Sequence, residues 1–323
     1  MASSTLLART RDLTSPGFAA DNPRARANPS AGCATLPVSD RLRPLLIALF
    51  VLALALALYG RRGVGTPPAP LHNAFGRGST VVLVHGLGSK AGHWLPAARL
   101  LARHHRVVLM DLPGHGESEM PFPFSLDRAV EALDLALAAS SREPVILVGH
   151  SVGGLVAAAE ALAHPERVRG LVLVETALRP QVVGEERQAM LAALDHDYQA
   201  LLRSAYTSFG RDSAQGAALY AEVQALDSVR IKQWIRLALT ADLSAAVARL
   251  DTPTLAVLAA RSWPVGEPLA ETARVLGYGR VPRLRVARVG GSGHFVMLDC
   301  PVELVEVIER FIASPGGEPV AAR

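Results

Sequence analysis

The chain is poor in cysteine, and only its N-terminal end has a net positive charge. Its 323 residues include only two cysteines, Cys33 and Cys300, which excludes a disulfide framework. Residues 1–62 hold eight arginines and three aspartates, while the whole chain has a net charge of +4. The remaining residues therefore have a net charge of −1. A near-neutral body with a basic arm argues against nucleic acid as a partner.

Aromatic residues are also scarce, at 5% of the chain, whereas half of the residues are hydrophobic. Alanine, leucine and valine dominate that half, and this composition favours helices packed on a buried parallel sheet. The length allows one large domain with a sizeable core.

A charge-free apolar run covers residues 44–59, with arginine pairs on either side. Sixteen helical residues span roughly 24 Å, slightly less than the ~30 Å hydrocarbon core, and snorkelling arginines can close the gap. We therefore predict an uncleaved transmembrane anchor over 44–60, which makes the membrane a partner. The alternatives are a cleaved signal peptide, because Ala55-Leu56-Ala57 has the small-x-small form, and a buried soluble helix.

The remaining segments follow from composition. We expect a disordered basic arm over 1–43, a Pro/Gly-rich linker over 61–77, a large folded domain over 78–313 and a disordered tail over 314–323. The predicted localisation is a single-pass membrane protein. Four arginines precede the anchor within twenty residues and three follow it, so the positive-inside rule favours, by one residue, export of the large domain.

The body alternates strand and helix patterns, which predicts a mostly parallel sheet with helices on both faces. A long segment at about 180–250 has helical spacing without any strand signal, and a helical lid is expected there. Strands are predicted at 80–86, 107–111, 144–149, 170–175, 253–259 and 283–289. The helices between and after them are predicted at 94–103, 125–139, 152–163, 267–276 and 302–313.

A Gly-x-Ser-x-Gly pattern, "GHSVGG" at 149–154, lies between a buried strand and a helix. In this context the small residues allow a tight turn that exposes the hydroxyl of Ser151. A serine needs a neighbouring base to become a nucleophile. The alternative role for Ser151 is a helix N-cap alone.

His294 is the histidine best placed to be that base, since it lies in a glycine-rich loop between the last predicted strand and the final helix. The alternative is a loop histidine without a role. The backbone N–H groups of Leu87 and Val152 are the predicted oxyanion donors, one in the "VHGLGS" loop and one at a helix N-terminus. His85, beside that loop, is interpreted as structural support.

These residues together resemble the α/β-hydrolase fold family, and in particular its lidded, esterase-like serine hydrolases. The resemblance covers about 78–313. It depends on "HGLG" (85–88), "DLPGHGES" (111–118), "GHSVGG" (149–154), "HPERVRGLVLVE" (164–175) and "GSGHF" (291–295). The resemblance implies that Asp111 braces a loop and does not take part in catalysis.

The chain departs from the family pattern at the acid. Family members usually have an aspartate after the strand that corresponds to 253–259, but Ser262 stands there. The family's second location for the acid follows the preceding strand, where this sequence has Glu175. The resemblance therefore implies that Glu175 orients His294, with Glu267 or no carboxylate at all as the alternatives. The alternative role for Glu175 is to cap the lid helix or to pair with Arg179.

The resemblance implies a serine hydrolase that cleaves a carboxylic ester or thioester through an acyl-enzyme, without cofactor or metal. The expected partner is a small ester with an apolar acyl group, because the lid segment is rich in large apolar residues. The alternative is a membrane-tethered binding or scaffold protein that lost turnover with the aspartate. The lid residues expected to form the acyl pocket, with simple packing on the body of the domain as the alternative, are Leu191, Leu194, Leu201, Leu202, Tyr206, Leu219 and Tyr220.

Overall fold

The computed structural model describes residues 71–315 and Phe50. Within this part of the chain, seven strands form one sheet in the order β1-β3-β2-β4-β5-β6-β7, and β1 is antiparallel to β3 while the other pairs are parallel. The strands are β1 (Leu71–Phe75), β2 (Thr80–Val84), β3 (Arg106–Met110), β4 (Val145–His150), β5 (Val168–Val174), β6 (Thr254–Ala259) and β7 (Leu284–Val289).

Ten α-helices accompany the sheet in the described residues. They are α1 (Leu95–Leu101), α2 (Leu126–Ser140), α3 (Val152–Ala163), α4 (Gly184–His196), α5 (Tyr198–Phe209), α6 (Ser213–Gln224), α7 (Ser228–Thr240), α8 (Leu269–Leu276), α9 (Val296–Asp299) and α10 (Pro301–Ala313). The predicted mostly parallel sheet of the α/β-hydrolase fold is confirmed.

The sheet is covered on both faces, as alternation along β2 shows. Val82 and Val84 pack into one apolar cluster with α2 and α3, and Val81 and Leu83 pack into a second cluster with α1 and α10. Successive strand residues point to opposite faces, so all four side chains become completely buried. Helix α10 contributes a one-sided apolar face that ends at Phe311.

The first strand was not predicted. Strand β1 occupies Leu71–Phe75, inside the segment 61–77 interpreted as a linker, so that interpretation was wrong for these residues. The sequence "LHNAF" is short and lacks the apolar run that marks the central strands. An antiparallel edge strand pairs on one side only, and here pairing with β3 decides its conformation.

Four helices, α4 to α7, connect β5 to β6 and form the lid predicted at about 180–250. Among the described residues, no helix is both long and apolar enough to cross a membrane. The predicted anchor 44–60 lies outside the described residues except for Phe50, as do the arm 1–43 and residues 316–323 of the predicted tail.

Candidate active site

Ser151 occupies a tight turn between β4 and α3. Its backbone has φ 52° and ψ −125°, a conformation that non-glycine residues rarely adopt and that marks strained turns at functional sites. A side chain on Gly149 would stand 2.5 Å from the Cα of Gly154, so glycine allows the two arms of the turn to approach. The Ser151 hydroxyl makes no capping bond to α3, and the simple N-cap alternative is therefore not what the structure shows.

His294 lies in the loop after β7, where its backbone is held by the lid and by the turn that contains Ser151. The His294 N–H donates to the carbonyl of Phe209 at 2.9 Å, and its own carbonyl lies 2.9 Å from His150 Nε2. The ring of Phe209 packs against the imidazole, with 4.6 Å between ring centroids. The backbone of His294 is thus fixed by Phe209 of the lid and by His150, which precedes Ser151.

Glu175 follows β5 directly and brings its carboxylate to the imidazole of His294. Its φ of 47° is left-handed, and its N–H continues the sheet by donating to Val257 O at 2.9 Å. Only 5% of the residue is exposed. Oε2 lies 3.1 Å from His294 Nδ1, and because a carboxylate oxygen accepts, the ring proton at this contact belongs on Nδ1.

Two further donors fix the Glu175 carboxylate. Oε1 accepts from the N–H of Ala259 at 2.7 Å, and Oε2 accepts from the hydroxyl of Ser262 at 2.9 Å. Ser262 is the residue that stands in place of the family aspartate, and its hydroxyl bonds the glutamate. A buried carboxylate needs such donors to offset the loss of water.

The alternative acid, Glu267, lies elsewhere. It is exposed, does not line the cavity that Ser151 borders, and precedes α8, which begins at Leu269. Asp111 Oδ1 accepts from the N–H of Ala91 at 2.7 Å and lies 3.2 Å from His85 Nε2. These contacts join loops and agree with the bracing role expected for Asp111 and His85.

The loop that carries Leu87 is held by two contacts to the carbonyl of Gly86. The Gly86 carbonyl accepts from Ser89 N at 3.2 Å and lies 2.7 Å from His85 Nδ1. In a trans peptide the following N–H points the opposite way, and this is the Leu87 N–H. Val152 is the first residue of α3, where the N–H groups have no acceptor within the helix.

A lid tyrosine and a buried histidine fix the next peptide of the same loop. The hydroxyl of Tyr206 donates to the Leu87 carbonyl at 2.6 Å, and the Gly88 N–H donates to His115 Nε2 at 2.9 Å. Burial lowers the pKa of His115 to about 3, so its ring is neutral and can accept. Sequence reasoning did not predict these two contacts, since only the tertiary packing brings Tyr206 and His115 to this loop.

One cavity of about 470 Å³ is bordered by all five predicted site residues. Of the lid residues predicted to form its wall, Leu201, Leu202 and Tyr206 do so, together with the unpredicted Phe209 and Ile235. The pocket prediction was wrong for four residues, to which the alternative of simple packing applies. Leu194 and Leu219 are buried in an apolar core cluster, and Leu191 and Tyr220 are partly buried and pack against it.

The cavity wall also has polar side chains that were not predicted as part of the site, among them Thr176, Arg179, Gln181 and Arg261. Elsewhere in the described residues, Asp134, Glu160 and His164 have ligand atoms within 4.8 Å of one another. That group does not border the cavity, and Arg167 already contacts the Asp134 carboxylate.

The connectivity, the strained serine turn and the loops at one edge of the sheet are those of a known family. A family model described as the alpha/beta hydrolase family matches residues 81–307. The chain belongs to this family. The family resemblance predicted from the motifs is thereby confirmed, and with it the prediction of a hydrolase.

Individual relatives share about a third of the residues in the matched region. ThaQ, a polyketide synthase of Burkholderia thailandensis, is 32% identical over 69% of this chain, but the chain spans only 11% of that protein. A pimeloyl-[acyl-carrier protein] methyl ester esterase of Pseudoalteromonas atlantica is 32% identical over 54% of this chain and 67% of its own length.

Solved structures show the same fold. The structure of a hydrolase from Oleispira antarctica superimposes with a TM-score of 0.67 over 76% of this chain and 95% of that chain. The sequence identity is 18%, so this similarity concerns the fold alone.

Proposed function

We propose that this α/β-hydrolase cleaves a carboxylic ester, or a thioester, through an acyl-enzyme formed on Ser151. The observation that carries the proposal is the contact between the Glu175 carboxylate and His294 Nδ1 beside the cavity that Ser151 borders. An esterase relative, the pimeloyl-[acyl-carrier protein] methyl ester esterase of Pseudoalteromonas atlantica, supports ester hydrolysis as the reaction.

In the proposed first step, Ser151 Oγ attacks the ester carbonyl carbon while His294 Nε2 takes the hydroxyl proton. With Nδ1 protonated against Glu175, Nε2 carries the lone pair that this step requires. The carboxylate then stabilises the imidazolium. The tetrahedral intermediate expels the alcohol, which receives the proton from His294, and the acyl group remains on Ser151.

In the second step, water gives a proton to His294 and attacks the acyl carbon, and the acid leaves as Ser151 recovers its proton. The N–H groups of Leu87 and Val152 stabilise the oxyanion in both steps, and the N-terminal end of α3 adds its positive partial charge. This chemistry uses side chains and backbone alone.

The proposed substrate contains an apolar acyl chain. The lid part of the cavity wall consists mainly of apolar side chains, including Met190, Leu201 and Leu239. Such a surface stabilises a bound aliphatic chain by about 25 cal/mol for each Å² of apolar area removed from water.

The rival hypothesis, a binding protein without turnover, was based on the missing aspartate. Glu175 supplies a carboxylate at the required ring nitrogen, and this removes the chemical argument for the rival. A fluorophosphonate probe tests the proposal, because only an activated serine reacts. We expect labelling of the wild type and none of Ser151→Ala. Failure of the wild type both to label and to hydrolyse p-nitrophenyl esters would support the rival.

The proposal includes a membrane anchor over residues 44–60, based on the charge-free run between arginine pairs. The full chain should sediment with membranes and resist carbonate extraction. A chain that starts at Thr66 retains β1 and should be soluble with the same activity. A mature protein that begins near Tyr59 would instead indicate a cleaved signal peptide.

A further inference from the structure

Arg179 lies on the wall between two cavities. It borders the main cavity beside Ser151 and also a neighbouring cavity of about 330 Å³. Arg274 and Arg280 border the second cavity as well. The stem of Arg179 runs along Gly277, where a Cβ would stand 3.2 Å from its Cγ. Because Gly277 is left-handed and ends α8, the chain leaves this position open for the arginine.

Arg179 is half-buried, and within residues 71–315 no hydrogen bond or ion pair is formed by its guanidinium. A hydrogen bond from Ser244 lowers the pKa of Asp242, and Asp242 lies near enough for the positive charge of Arg179 to help lower it, but the acidic groups around Arg179 accept their hydrogen bonds from other donors. The Asp242 carboxylate accepts from Ser244 N at 2.9 Å and from its hydroxyl at 2.5 Å. Glu271 accepts from Arg274 Nε at 2.9 Å.

A charged group in this position favours an anionic ligand. Guanidinium groups bind carboxylates and phosphates with two parallel hydrogen bonds, and these charge-assisted bonds are stronger than neutral ones. Partial burial removes water from a guanidinium at a cost in free energy, and without an acceptor no hydrogen bond offsets that cost. Arg280 lacks an ion pair in the described residues and adds a second positive charge at the outer cavity.

Ser151 and Arg179 border the same cavity. The Thr176 hydroxyl donates to the Ser151 carbonyl at 3.2 Å. Arg179 is three residues further along the chain, and three residues of backbone span at most about 11 Å. The same cavity is also bordered by the apolar residues Ala177 and Leu276, so it offers a charged group and an apolar surface to one substrate.

We propose that Arg179 binds an anionic group at the end of the substrate opposite the ester that Ser151 cleaves. This inference rests on the function proposed above and narrows its substrate class to an apolar chain with one anionic end. The anion is either a carboxylate on the acyl chain or the phosphate of a phosphopantetheine arm that carries the acyl chain. Both offer the paired oxygens that a guanidinium binds.

The test compares two ester series on the full chain. One series consists of monomethyl esters of dicarboxylic acids of roughly five to ten carbons, the length that three residues of backbone cover. The other consists of uncharged methyl esters of matching length. The wild type should have the higher kcat/KM on the half-esters at one preferred length. Two results together would overturn the proposal. One is an equal kcat/KM on both series, and the other is an equal kcat/KM on the phosphorylated and dephosphorylated pantetheine substrates described below.

Arg179→Gln should lower kcat/KM about 10- to 100-fold on the anionic substrate, the usual contribution of a hydrogen bond to a charged group. The loss should appear mainly in KM, because the group binds ground and transition states alike. The rate on the uncharged ester should change less than about threefold. That unchanged rate also shows that the variant is folded. Equal losses on both series would contradict the inference.

Arg274→Gln is the matched control, since its guanidinium already pairs with Glu271, and it should leave the preference intact. A second arm uses the methyl-ester acyl thioester of phosphopantetheine and its dephosphorylated form. If the phosphate is the anion, Arg179→Gln should lower kcat/KM on the phosphorylated form only. A wild type that hydrolyses no ester of any series would instead contradict the proposed function itself.

Discussion

The hydroxyl of Ser262 donates a 2.9 Å hydrogen bond to Oε2 of Glu175, the same oxygen that contacts His294 Nδ1. One hydrogen bond thus joins Ser262, at the family's usual acid position, to Glu175, at its alternative position. They follow the neighbouring strands β6 and β5, in which Val257 pairs with Val174. A carboxylate from either strand end can therefore approach the imidazole, and the serine left at the usual position becomes a donor to the relocated acid.

Glu175→Gln should lower kcat by roughly 10³–10⁴, because an amide favours the wrong tautomer of His294 and cannot stabilise the imidazolium. This corresponds to about 4–5.5 kcal/mol of transition-state stabilisation. Steady-state kinetics on a p-nitrophenyl ester measure it. The control Glu267→Gln, at an exposed residue outside the cavity, should change kcat less than about threefold. Near-normal turnover by Glu175→Gln would show that another group orients the histidine.

Ser262→Ala should lower kcat about tenfold and leave KM unchanged, since it removes one of the donors to the Glu175 carboxylate. In the Glu175→Gln background, Ser262→Asp should recover part of the lost kcat, because the new carboxylate starts from a residue already in contact with Glu175. The wild type, Glu175→Gln, Ser262→Asp and the double variant form a cycle whose kcat values measure the coupling between the two positions. A double variant no faster than Glu175→Gln would show that the 259–264 loop cannot direct an acid at His294.

Tyr206→Phe should lower kcat about tenfold at unchanged KM, because it removes the hydrogen bond to the Leu87 carbonyl and loosens the oxyanion loop. The control is Tyr220→Phe, whose hydroxyl donates to Gln199 at 3.2 Å on the lid surface. Thermal unfolding of both variants separates positioning from stability. An equal fall in kcat for both tyrosines would contradict a specific role for Tyr206.

Glu160→Gln should stabilise the protein at alkaline pH. Glu160 is completely buried, its carboxylate oxygens have no partner among the described residues, and burial raises its pKa to about 8 from 4.5. The folded state therefore holds a proton that the unfolded state loses between pH 4.5 and 8, and stability falls as pH rises through this window. Glutamine does not ionise, so the Glu160→Gln variant should not lose this stability, which amounts to at most a few kcal/mol.

Denaturant unfolding at pH 6 and pH 9 measures this difference between Glu160→Gln and the wild type. The variant should lose less stability across the interval. Glu166→Gln, at a neighbouring side chain that is 70% exposed, should keep the wild-type slope. A parallel slope for Glu160→Gln and the wild type would show that Glu160 is ionised in the folded protein.

Most of the sheet could be predicted from local pattern. Central parallel strands are buried on both faces, so runs such as "TVVLV" in β2 and "TLAVLA" in β6 are recognisable without tertiary information. Strand β1 has no such run, and its pairing with β3 is a long-range property. The lid was predicted as helical, but which of its side chains face the cavity depends on how four helices pack together.

The sequence by itself determined the serine turn, the loop histidine and the loop that holds Leu87, because each depends on small residues and strand ends that are adjacent in the chain. It left three answers open for the acid. Only the tertiary structure brought Glu175, Ser262 and His294 together, since register between β5 and β6 places these loops side by side. The contact of Tyr206 with Leu87 and the position of Arg179 between two cavities were likewise decided by packing, because residues far apart in sequence meet there and no local pattern records their distance.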